Sequence, residues 1–326
     1  MKKSTKNLLI GLSAIAAVTI STTLITGRML VKFAIHRNGI KMKIPKKLQS
    51  KVSGGLSEDP RLNIISESAK KARSLPTETV SITSSDGLKL SGHIYNCDEP
   101  QRIVLAMHGW RSNWYNDFGC SIDFLHNEGS LVLFPDQRGQ NESDGDYIGF
   151  GVLERHDCLD WLKYIVDRFG TGLPIYLLGV SMGATTVLMA SGLRLPDSVK
   201  GIIADCGFTS PHAIWAHILK NNLKIDDRLT YPIANAIIKK QAKFDGDEYS
   251  TIDALKVNTK PVLFIHGTDD KFVPITMTFD NYLACAAEKQ MFIVPGAGHG
   301  MSYLVDTCGY QQAVRDFFNK CESNNN

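Results

Sequence analysis

Short, almost wholly apolar runs recur along the chain, separated by longer stretches of mixed character. Residues 102–107, 131–134, 174–178, 201–204, 261–265 and 290–294 each read as a strand buried on both faces. Between them, residues 114–127, 152–169 and 184–190 carry patterns that suit helices. Strands alternating with helices predict right-handed crossovers and an α/β fold, with a mostly parallel sheet covered by helices on both faces. Ahead of this rhythm, residues 79–83 and 88–95 alternate with period two around Ser84-Ser85-Asp86-Gly87, which predicts an antiparallel hairpin at the sheet edge. Residues 60–74 read as a linker or a short helix. Between 208 and 255 the strand rhythm stops, and residues 211–219 and 232–238 read as two short helices of a small cap.

The N-terminal pattern is different. Residues 8–26 carry no charge and are long enough to cross a bilayer as a helix, with Lys2, Lys3 and Lys6 ahead of them. A cleaved signal peptide competes, but Ala14-Ile15-Ala16 comes too early and residues 22–28 offer no small-x-small site. The expectation is therefore a single-pass anchor over residues 1–27 in the cell membrane, and a basic juxtamembrane linker over 28–75. Arg28, Lys32, Arg37, Lys41, Lys43, Lys46 and Lys47 outnumber the leading lysines, so the positive-inside rule puts the remainder in the cytoplasm. A span with so short a leading tail can also insert the other way. The basic stretch could rest on anionic headgroups or stay solvated. A catalytic domain is expected over 76–321, with a disordered tail over 322–326.

Composition narrows the classes. A chain of 326 residues, 43% apolar, can bury a full core. A net charge of +3, partly carried by the N-terminal segment, argues against nucleic acid as a partner. Seven scattered cysteines without Cys-x-x-Cys spacing make neither a disulfide framework nor a structural zinc site. Cys158 and Cys206 lie in apolar runs and read as buried free thiols, which leans toward a reducing compartment.

The candidate chemistry sits at strand ends. Gly179-Val180-Ser181-Met182-Gly183 lies between a predicted strand and a predicted helix, the setting of a sharp elbow that projects a serine hydroxyl above the sheet. A structural turn is the competing reading of this short pattern. The strand at 261–265 runs into His266-Gly267-Thr268-Asp269-Asp270-Lys271-Phe272-Val273-Pro274, and the last strand runs into Pro295-Gly296-Ala297-Gly298-His299-Gly300. Serine, acid and histidine in that order, each after a strand, is the order of one triad-bearing fold. From about Val80 onward the chain resembles the α/β-hydrolases, closest to bacterial membrane-anchored members and to the serine aminopeptidase-like and prolyl-peptidase-like branches.

A serine hydroxyl needs a base to become a nucleophile, and the base needs an orienting acid. Ser181 and His299 take the first two roles. Asp269 and Asp270 compete for the third, and the family pattern His-Gly-x-x-Asp-x-x-Val-Pro aligns with Asp270. The resemblance places the oxyanion donors at the backbone amides of Met182 and Trp110. It also matches Asp136-Gln137-Arg138-Gly139-Gln140-Asn141-Glu142-Ser143 to a family loop, with Asn141 where glycine is usual and with structural roles for Asp136 and Arg138. Trp110 and Trp215 are candidate pocket walls, and ordinary packing is the competing use of both. No cofactor and no metal are expected. The expected partner is a small-molecule or short-peptide acyl substrate, an ester being favoured over an amide because the cap carries no acidic pair to grip an amine. An acyltransferase and a non-catalytic scaffold are the remaining alternatives.

Overall fold

The computed structural model describes residues 23–39, 50 and 59–323. Its centre is an eight-stranded sheet of β1 (Glu78–Thr83), β2 (Lys89–Tyr95), β3 (Arg102–Met107), β4 (Ser130–Pro135), β5 (Ile175–Val180), β6 (Val199–Asp205), β7 (Val262–Gly267) and β8 (Lys289–Val294). They lie in the order β1-β2-β4-β3-β5-β6-β7-β8. β2 runs antiparallel to both its neighbours, and the remaining pairs are parallel. The helices are α1 (residues 23–34), α2 (Leu62–Arg73), α3 (Trp114–Phe118), α4 (Ile122–Asn127), α5 (Glu154–Phe169), α6 (Met182–Ala190), α7 (Pro211–His217), α8 (Asp227–Gln241), α9 (Thr251–Val257), α10 (Ile275–Ala284), α11 (Ser302–Val305) and α12 (Thr307–Ser323).

The unbroken apolar strands follow from burial on both sides. Along β3, Ile103, Leu105 and Met107 join a core layer with Trp161, Leu162 and Ile165 of α5 and Leu188 of α6. Val104 and Ala106, one pleat out of phase, join the opposite layer with Trp114, Phe118, Leu125, Phe317 and Phe318 from α3, α4 and α12. A third cluster ties α7 and α8 of the cap, through Trp215, Tyr231 and Ile238, to Phe150, Phe208 and Met182 of the main domain.

Several boundaries differ from expectation for identifiable reasons. The helix expected over 114–127 is broken between α3 and α4, where Gly119 packs so tightly that a Cβ would overlap the Tyr115 carbonyl and crowd Ser68 of α2. The cap helix expected from Pro232 begins at Asp227, because the Asp226 side chain accepts the Arg228 amide as an N-cap and Pro232 lies inside the helix. Residues 60–74 contain the twelve-residue helix α2. Residues 322 and 323, expected within a disordered tail, belong instead to α12, and Glu322 pairs with Arg102 at 2.8 Å.

The largest correction concerns the N-terminus. Among the described residues no helix is long and apolar enough to cross a membrane. The expected anchor over residues 1–27, and the cell-membrane location that rested on it, are not upheld. Residues 1–22 of that stretch lie outside the described residues. Residues 23–34 form α1, whose buried Val31 and Ala34, with Ile35 just beyond, pack into the cap-side cluster. A Cβ on Gly27 would lie 3.0 Å from Ile233 of α8. Residues 28–39, expected within a basic linker, therefore dock on the domain.

One buried ion pair tests the packing of α5. Arg138 reaches both oxygens of Asp157 at 2.5 and 2.6 Å, and Asp86 of the β1–β2 turn at 2.8 and 3.2 Å. Burial already raises the Asp157 carboxyl to about 7 with Arg138 beside it, so replacing Arg138 with Met would leave Asp157 unpaired in the interior, either taking up a proton or bearing an uncompensated charge. The expected loss is about 3–5 kcal/mol, read as a lowered midpoint in denaturant unfolding.

Candidate active site

β5 delivers Ser181 at φ 56° and ψ −118°, a left-handed conformation that is strained for a residue with a side chain. The turn closes because its glycines permit contact. A Cβ on Gly179 would overlap the Gly183 backbone, and one on Gly183 would overlap the Met107 carbonyl at the end of β3. The Ser181 amide donates to the Asp205 carbonyl at 2.8 Å, tying the elbow to β6.

The structure brings three of the predicted residues together. Ser181 Oγ lies 2.8 Å from His299 Nε2, and His299 Nδ1 lies 2.6 Å from Asp270 Oδ2. With a carboxylate at Nδ1, the proton belongs on that nitrogen, which leaves Nε2 to accept from the serine hydroxyl. Asp270 is wholly buried and fully partnered. Its Oδ1 accepts the amides of Phe272 and Val273 at 2.9 and 2.8 Å, and its Oδ2 also receives His266 Nε2 at 3.1 Å. His266 Nε2 is also 3.0 Å from the Val273 carbonyl, so it carries the N–H, while its Nδ1 takes the Thr278 hydroxyl at 2.6 Å. Asp269 is exposed, its carboxylate accepts the hydroxyl of the adjacent Thr268, and it does not reach His299.

Electrostatics follow from this arrangement. Burial alone would raise the Asp270 carboxyl, but His299 and His266 outweigh it and hold the group well below the usual carboxylate range. Burial likewise opposes charging of His299, yet the Asp270 carboxylate prevails and raises the imidazole well above its ordinary value. Beside them, Asp205 at the end of β6 is raised by burial to about 6. Burial pushes the Cys206 thiol up to about 11, so it is a neutral neighbour at physiological pH.

The two predicted oxyanion donors belong to Met182, next to Ser181 in the chain, and to Trp110, in the loop after β3. Met182 is the first residue of α6, so its N–H is among the donors that a helix start leaves without an internal acceptor. In the loop after β3, the Gly109 amide donates to Asp117 Oδ2 and the Arg111 amide to Gln140 Oε1, each at 2.6 Å. The Trp110 amide lies between these two occupied ones. A Cβ on Gly109 would lie 3.3 Å from Ser181 Cβ, which measures how closely this loop approaches the hydroxyl.

A cavity of about 1100 Å³ opens over Ser181 and His299. Leu62, Ile65 and Ala69 of α2 line one side, Phe272, Met301 and Leu304 another, and Phe33 and Trp110 a third. Trp110 thus lines this cavity. Trp215 does not: it is buried among Phe150 and Tyr231, with ring centroids at 5.3 and 6.2 Å, where it joins the cap to the domain.

Two groups among the described residues place potential metal ligands within 4.8 Å of one another, Cys206 with Asp270 and His299, and His93 with Asp136 and Glu142. In the first group both imidazole nitrogens already serve Ser181 and Asp270. In the second, Asp136 accepts the Glu142 amide at 3.2 Å. Sequence reading missed His266, Cys206 and α2 as parts of the site. His266 stands in the same strand-end motif as Asp270, so the motif itself carried a signal for it, whereas nothing in the pattern of α2 points to a cavity.

A parallel sheet with an antiparallel second strand, and an elbow that faces an acid and a histidine from the ends of later strands, defines the α/β-hydrolase class. A family model for the alpha/beta hydrolase fold matches residues 102–251, and the chain has the α/β-hydrolase fold. It is similar to the uncharacterized protein YqkD of Bacillus subtilis, 28% identical over 240 residues that span 72% of this chain and 77% of that one. Among solved structures it resembles the Pyrococcus furiosus esterase Pf2001, with a TM-score of 0.63 and 22% identity over 77% of this chain and 93% of that one. It also resembles the Pyrococcus horikoshii acylaminoacyl peptidase, with a TM-score of 0.56 and 17% identity over 78% of this chain and 43% of that one. At these identities the solved structures speak to the fold alone.

Proposed function

We propose that the protein is a serine hydrolase that cleaves a carboxylic ester through an acyl-enzyme on Ser181. The observation that carries this reading is the continuous relay from Ser181 Oγ through His299 to the buried Asp270, at 2.8 and 2.6 Å. In the reaction Ser181 Oγ attacks the acyl carbon while its proton passes to His299 Nε2. The oxyanion of the tetrahedral intermediate lies against the amides of Trp110 and Met182. Collapse breaks the bond to the leaving alcohol, which takes the proton from His299. Water, deprotonated by the same nitrogen, then releases the acid and restores the serine.

The walls favour an acyl chain over a free amine. The surface of the cavity is mostly apolar, and its cationic members Lys70, Arg73 and Arg111 would repel an ammonium. Its one carboxylate, Asp117, is already engaged by the Gly109 amide and the Ser112 hydroxyl, each at 2.6 Å. The likeness to an acylaminoacyl peptidase favours, as a second reading, amide cleavage in a substrate whose amine is blocked. Both are tested by labelling with a fluorophosphonate, followed by comparison of p-nitrophenyl acyl esters with acylated aminoacyl anilides. Labelling with faster ester turnover is the expected result, faster anilide turnover would favour the second reading, and a folded protein that does not label would overturn both.

A further inference from the structure

We infer that residues 33–37, at and just beyond the end of helix α1, complete the proposed active site: they hold the oxyanion loop in place through Trp110 and Arg111, and Phe33 closes one wall of the acyl pocket. This rests on the serine-hydrolase reading of Ser181.

The end of a helix leaves its last carbonyls without internal donors. Here the donors come from two consecutive residues of the loop beside Ser181. Trp110 Nε1 donates to the Ala34 carbonyl at 2.8 Å. The Arg111 guanidinium donates to Phe33 at 2.9 Å, His36 at 2.5 Å and Arg37 at 3.1 Å, all main-chain carbonyls. Four of the five carbonyls from 33 to 37 are therefore held by the loop. No carboxylate pairs with Arg111 among the described residues. Its charge rests instead against the negative end of α1 and, at 5.1 Å, the face of the Trp110 ring.

The conformation of the loop explains why it needs holding. Arg111 sits at φ 52°, a region unfavourable to a residue with a side chain, so the peptide chain beside the Trp110 amide persists only where surrounding contacts fix it. The same segment secures the other support of the loop. Gln140, which accepts the Arg111 amide, belongs to a stretch bound by Arg37, whose side chain donates to the carbonyls of Asn141, at 2.6 Å, and of Ser143. The Ile148 amide donates to the Ile35 carbonyl at 2.7 Å. The segment thus grips the loop directly and through its neighbour. Phe33 meets the Trp110 ring edge-on at 5.5 Å and lines the cavity.

A purely structural docking would affect stability or substrate binding. A positioning role would affect kcat, because an amide aimed at the oxyanion acts mostly in the transition state. The test uses the full chain with Arg111→Gln, Arg111→Lys and Phe33→Ala. Arg111→Gln is expected to lower kcat for a p-nitrophenyl ester by about 10- to 100-fold with KM changed less than about threefold. Affinity for an alkyl boronic acid, a tetrahedral adduct former, should fall in parallel. Arg111→Lys, with one ammonium in place of the fork, should fall between the two, and it decides the matter by the same readouts if Arg111→Gln does not fold. Phe33→Ala should move the preferred acyl chain to greater length. Wild-type kcat and boronate affinity in the folded arginine variants, or a loss confined to KM or to the melting temperature, would overturn the inference while the wild type still hydrolyses esters. A folded wild type that neither labels nor hydrolyses would instead overturn the serine-hydrolase reading beneath it.

Discussion

Replacing Ser181 by alanine is expected to lower kcat for an ester by about 10^6-fold and to abolish fluorophosphonate labelling, with little change in stability. The effect is this large because the hydroxyl supplies the covalent bond of the proposed acyl-enzyme, and no other nucleophile is poised to replace it. Cys206 is the nearest alternative, but its thiol titrates near 11 and lies in the interior behind His299. Stability should move by no more than about 1 kcal/mol, since alanine inherits the same strained backbone and the change removes one hydrogen bond to His299. His299→Ala should cost a similar factor in kcat. The double variant should be no worse than either single one, because serine and base act as a unit. Full additivity of the two losses in steady-state kinetics would mean that they do not share a proton, and the proposed mechanism would fail.

The parts of this site that the sequence makes legible are those carried by local pattern. Gly179 and Gly183 announce the elbow because no side chain fits where the strand and helix backbones meet. Asp270 and His299 follow apolar runs that can only be buried strands of a sheet covered on both faces. Asn141, which replaces an expected glycine, takes φ 48°, as its tolerance of the left-handed region allows. What pattern does not carry is the partner of a buried surface. Trp215 has the same sequence signature whether it faces a substrate or the Phe150 ring, and only the placement of the cap decides for the ring. The N-terminal segment shows the same limit: its lysines and arginines make residues 28–39 read as a basic linker, while Val31, Ala34 and Ile35 between them pack into the cap-side core. The break at Gly119 is similarly invisible, because it depends on α2 crossing from a distant part of the chain.

Asp270→Asn is expected to lower kcat by about 10^4-fold and to separate the pH dependence of activity from that of stability. An asparagine can present its amide N–H to His299 Nδ1, which would move the imidazole proton to Nε2 and leave nothing to accept from Ser181. The charge lost is also the one that raises the imidazole. In the wild type the base must be neutral, so kcat/KM should rise through an acid limb lying above the ordinary histidine value of 6.5. In Asp270→Asn the residual activity should show that limb displaced to lower pH. Stability runs the other way. The raised His299 stabilises the folded state most fully below 6.5 and loses that contribution as pH rises through its folded value. The depressed Asp270 stabilises it above 3.8 and loses that contribution as pH falls through its own folded value. The pair therefore contributes most between about 3.8 and 6.5, where His299 is protonated and cannot act as the base. Melting temperatures of wild type and Asp270→Asn should differ most in that window and converge only as pH rises through the folded value of His299, well above 6.5, where the imidazole loses its proton. The convergence is partial, because His266 and the amides of Phe272 and Val273 still hold the carboxylate. A constant difference across the range, with an unshifted acid limb, would mean that Asp270 does not set the protonation of His299.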